Sequence, residues 1–72
     1  METEVQFNIR MIRACAAGEW KTDSLSTSQQ VMVGLALCRP DLLATARYPD
    51  AASAWARLDG DQREAISSWW LK

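Results

Sequence analysis

Histidine is absent from the 72-residue chain, and with it the side chain whose ordinary pKa serves proton transfer near neutral pH. Acid–base chemistry would then fall to carboxylates. Asp41, Asp50, Asp61 and Glu64 each stand where the first turn of a helix already explains an acidic residue. No serine sits in a strand-to-helix elbow of the kind that exposes a nucleophile. Cysteine is scarce. Cys15 and Cys38 both fall within apolar stretches that read as helix, so both are expected to be buried, free thiols packing as small hydrophobes. Two cysteines without histidine cannot supply an ordinary structural zinc site, and they are too few for a disulfide framework. Asp59-Gly60-Asp61 lacks the ligand count of a calcium loop. These absences predict a binding protein rather than an enzyme, with no metal and no cofactor.

An excess of one charge is missing too. Eight basic and nine acidic residues leave a formal net charge of −1. The basic residues (Arg10, Arg13, Lys21, Arg39, Arg47, Arg57, Arg63 and Lys72) are scattered, and only Arg10 and Arg13 lie close together. Nucleic-acid binders draw much of their affinity from clustered phosphate contacts, so this distribution argues against DNA or RNA as the partner. Long apolar runs are lacking as well. The longest, Val31 to Cys38, is eight residues against the roughly 20 that a membrane-spanning helix needs. Glu2 and Glu4 occupy the place where a secretory signal would carry basic residues. The expectation is a soluble, cytoplasmic protein that makes no use of a membrane.

What the chain does have is apolar content: 49% hydrophobic residues, including four tryptophans and three methionines. A chain of this size buries only about 60% of the surface exposed by its unfolded form, so it needs an unusually apolar core or a second copy of itself. Residues 1–72 read as a single all-α domain, a small bundle of four to five short helices. The first segment is ambiguous at its start. Val5, Phe7, Ile9 and Met11 alternate as in a strand, whereas Val5, Ile9, Ile12 and Ala16 recur with helical spacing. An alanine-rich continuation and the lack of any partner strand favour a helix over about residues 3–17, ended by Gly18.

Ser26…Gln29 and Thr27…Gln30 both have capping-box spacing and announce a second helix. Its Val31–Cys38 stretch is apolar on every side, so it is either central or packed on a second copy, a possible homodimer contact. Gly34 in its middle costs about 1 kcal/mol relative to alanine, a cost that close approach of another helix would offset. Pro40-Asp41 and Pro49-Asp50 look like one device used twice, proline at the first helical position with an acid beside it. They predict a short helix over Asp41–Arg47 and another presenting Ala51, Ala54, Trp55 and Leu58 on one face. Asp59-Gly60 breaks that helix, and Asp61…Glu64 has the spacing to cap a last one, whose apolar face is Ala65, Ile66, Trp69 and Trp70.

Two surfaces remain to carry a function. Tryptophan is enriched among residues that dominate protein–protein binding energy, although a small core also needs large side chains. Trp55 has a neat core face. Trp20 lies in a connection, and Trp69 and Trp70 point about 100° apart on a helix, so burying both is difficult. Gln6, Arg10 and Arg13 form a stripe that is either a solvated helix face or a contact for an acidic partner surface. The candidate partner-binding residues are therefore Trp69, Trp70, Trp20, Arg10, Arg13 and Gln6. The second and third helices offer an alternative, a dimeric helix-turn-helix-like DNA-binding regulator, but the third presents only Arg47 and Asp41 where a recognition helix needs several donors. In size, tryptophan content and lack of catalytic groups the chain looks like the short accessory proteins of phages and mobile elements, anti-CRISPR proteins among them. That resemblance rests on no specific residue, and it implies an inhibitor or modulator that occludes the surface of a host protein.

Overall fold

In the computed structural model, which describes residues 1–71, each helix begins at a residue whose side chain or ring suits a helix start. Thr3 caps α1 (Glu4–Ala16) by accepting from the Gln6 amide, while the Gln6 carboxamide oxygen accepts from the Thr3 N–H. Ser26 and Gln29 do the same for α2 (Thr27–Ala36), the first of the two spacings the sequence offered. Pro40 stands in the first turn of α3 (Pro40–Thr45). Asp50 caps α4 (Ala51–Arg57) and Asp59 caps α5 (Gly60–Trp70). Such side chains satisfy N–H groups that a helix start leaves without partners. A single 3-10 turn, Thr22–Ser24, lies in the connection before α2. The described residues contain no strand, so the alternation at Val5–Met11 resolves as helix. Among them no helix is long and apolar enough to cross a membrane.

Three expected details are corrected. Pro49 does not repeat the placement of Pro40: it precedes the cap, and Asp50 itself accepts from the Ser53 N–H and hydroxyl, both at 3.0 Å. The last helix is capped by Asp59 with Gln62, at 2.8 and 3.1 Å, rather than by Asp61 with Glu64. The same spacing occurs twice, two residues apart. The pair that caps is the one whose second member, Gln62, is also buried, while Asp61 and Glu64 face out. On α1 the buried residues are Asn8, Met11, Ile12 and Cys15, so the inward face is rotated slightly from the expected one and Ala16 is exposed.

α2 is the centre of the bundle and packs against each of the other four helices. Val31, Met32 and Val33 are wholly buried, and burial continues through Ala36. Together with Met11, Ile12 and Ile66 they form the heart of the core. At Gly34 the helix α3 packs close against α2. A Cβ there would lie 3.0 Å from Leu43 Cδ2 and 3.2 Å from Leu42 Cβ. The close approach that the glycine anticipated is therefore made within one protomer. Burial of residues 31–36 is thus achieved within the protomer and does not require the homodimer contact expected through Val31–Cys38.

α1, α2 and α3 end in the same way, with a residue in the left-handed region and two reverse hydrogen bonds that occupy last-turn carbonyls. Gly18 (φ 77°) serves α1, Cys38 (φ 54°) serves α2 and Arg47 (φ 69°) serves α3. For α2 the Arg39 N–H reaches the Gly34 carbonyl at 2.8 Å and the Cys38 N–H reaches that of Leu35 at 3.2 Å. This geometry corrects the expectation that Cys38 is buried in a helix. Pro40 forces the chain to turn two residues earlier, and the turn carries the Cys38 side chain outward, leaving it exposed. Cys15 is buried as expected, and burial pushes its thiol pKa up against the lowering influence of Arg39.

Candidate protein-binding surface

The C-terminal tryptophans divide the burial between them. Trp69 is half-buried and packs against the core, whereas Trp70 remains 50% exposed. Exposure has not left Trp70 loose. Its indole lies nearly parallel to that of Trp55, with ring centroids 6.4 Å apart and planes inclined by 13°. Its Nε1–H donates to the Ala36 carbonyl at 3.0 Å. Ala36 is the last residue of α2, so this carbonyl is one the helix cannot satisfy itself. Reverse bonds from Arg39 and Cys38 occupy the carbonyls of Gly34 and Leu35, and the indole from α5 occupies the next one. Trp70 thus caps α2 across the bundle with its edge and shows part of its ring to solvent.

Trp55 is itself held in place. It is half-buried, the Arg63 guanidinium lies 5.8 Å from its ring centroid, and Arg63 also donates to the Trp55 and Ala56 carbonyls at 3.0 and 3.2 Å. The expected core face of α4 is present in Ala54 and Leu58, which are buried, but Ala51 is exposed.

Beside Trp70 an apolar groove of about 390 Å³ opens between α2, α3 and the start of α4. Gly34 and Leu35 line it from α2, Pro40 and Leu43 from α3, and Pro49 and Ala51 from the approach to α4; Cys38 and Arg39 complete it. Of these only Trp70 was among the six candidate partner-binding residues, while Gly34, Leu35 and Cys38 belong to the stretch read as a contact with a second copy. The groove has a partial signal in the sequence: both prolines of the chain, Pro40 and Pro49, line it. The Arg39 guanidinium at its edge pairs with Asp41 at 2.8 Å, and this hydrogen bond is the main reason that the Asp41 carboxyl lies below its usual pKa.

The remaining sequence candidates lie elsewhere. Gln6, Arg10 and Arg13 line an open cleft with Met1, Glu2 and Ile9, and it shares no residue with the groove. Two of the three are already engaged. Gln6 completes the α1 cap, and Arg10 makes two hydrogen bonds to the Glu2 carboxylate at 2.9 and 3.0 Å while resting 5.3 Å from the Phe7 ring centroid. The Glu2 contact raises the Arg10 pKa further above its ordinary value. Arg13 is exposed in the last turn of α1, where a cation complements the helix dipole. Trp20 is half-buried and meets Phe7 edge-on, with centroids 6.2 Å apart and planes at 76°. Its geometry is that of a core aromatic covering the connection between α1 and α2. The six candidates are therefore not one site, and Trp70 is the one that borders an apolar recess. No protein-family model, no curated protein and no solved structure matches the chain.

Proposed function

We propose that the chain is a small protein-binding inhibitor or modulator that acts by covering part of a partner's surface, with Trp70 and the groove beside it as the contact face. The observation that carries this reading is the state of Trp70: half-exposed, stacked on Trp55 and hydrogen-bonded to Ala36, at the edge of an apolar recess. Binding through a long, mobile side chain costs about 0.5–1.5 kcal/mol of ordering for each one immobilised. An indole held in advance avoids most of that cost while offering a large apolar area. Tryptophans in such settings are among the residues that dominate binding energy. The partner's matching feature is an apolar side chain that enters the groove against the ring. Arg13, exposed and away from the groove, would steer the approach of an acidic surface rather than anchor it, whereas Arg10 is already paired with Glu2.

The DNA-binding alternative gains nothing from the arrangement of α3. That helix has six residues, and its acidic Asp41 is paired with Arg39. The test is affinity capture from a lysate of the cell in which the protein is made, followed by titration of the captured protein. Wild type should bind it, and Trp70→Ala should weaken binding at least tenfold, which corresponds to about 1.4 kcal/mol. If the chain instead binds non-specific duplex with affinity that falls steeply as salt rises, phosphate contacts dominate and the protein-binding reading fails.

A further inference from the structure

We draw no further inference here: the strongest candidate, the apolar groove walled by α2, α3 and Trp70, belongs to the surface already proposed for binding, and nothing in the structure shows what covers it.

Discussion

The middle of α2 and the last turn of α5 are both rich in large apolar side chains, yet Val31–Ala36 is buried throughout while Trp70 keeps half its surface in solvent. The difference lies in what each segment touches. α2 has neighbours all round, and at Gly34 the backbone itself is the packing surface, against Leu42 and Leu43. α5 buries Ala65 and Ile66 completely, but its last turn lies beside the end of α2, where a carbonyl rather than an apolar side chain awaits a partner. One apolar segment thus builds the core, and the other contributes a hydrogen-bond donor to the core's edge and a ring face to solvent. Apolar character alone does not separate these outcomes.

The largest expected effect follows from the tight side of this comparison. Gly34→Val introduces carbon where a single Cβ already lies 3.2 Å from Leu42 Cβ, an atom that moves only with its backbone. Overpacking of this kind should destabilise the fold by about 2–3 kcal/mol, lowering the melting temperature by roughly 10 °C or more in a domain this small. A variant that melts like the wild type but loses a self-associated state would place Gly34 at a contact between two copies, against the packing described.

Cys38 sharpens the contrast at the end of α2. It holds a left-handed conformation that L-residues reach at a penalty of roughly 1–2 kcal/mol, and its side chain is exposed. Cys38→Gly should therefore raise stability by about 1 kcal/mol, measured by urea unfolding. Destabilisation would mean that the thiol contributes packing that outweighs the backbone strain.

A smaller effect concerns the caps. Asp50 is held below its ordinary pKa first by the Ser53 backbone N–H and then by the Ser53 hydroxyl. A carboxyl whose folded pKa is depressed contributes stability above its unfolded pKa, near 4, and loses it as pH falls through the lower folded value. The unfolding midpoint should therefore drop between pH 6 and pH 3. Asp50→Asn preserves an N-cap acceptor without the titration, so it should drop less. Equal drops would show that the Asp50 cap makes no pH-dependent contribution.

Much of the fold was legible because its signals are local. Ser26 with Gln29, Gly18 after α1 and Pro40 at the first position of α3 each act within a few residues, and the structure uses all three as read. The errors arise where two local patterns tie or where a distant group decides. Asp59…Gln62 and Asp61…Glu64 have equal spacing, and burial of Gln62 against the rest of the bundle accompanies the pair that caps. Cys38 belongs to an apolar run, but the reverse bonds to Gly34 and Leu35 turn it outward. For the candidate surface, the 100° offset between Trp69 and Trp70 forecast unequal burial without saying which ring would be exposed. That depended on the Ala36 carbonyl, 34 residues away in sequence. The groove itself is assembled from residues of four helices and had no single motif to announce it.

Trp70→Ala removes a cap as well as a ring face, so the most direct test leaves Trp70 in place and alters the recess beside it. Ala51 lines the groove, is exposed, and occupies the first position of α4, where a carboxylate suits the helix dipole. Ala51→Glu should keep the wild-type melting temperature within a few degrees yet weaken binding of the captured partner at least tenfold, because the partner's apolar side chain would have to desolvate the new carboxylate. Unchanged affinity in a fully folded Ala51→Glu protein would contradict the claim that this groove and Trp70 form the binding face.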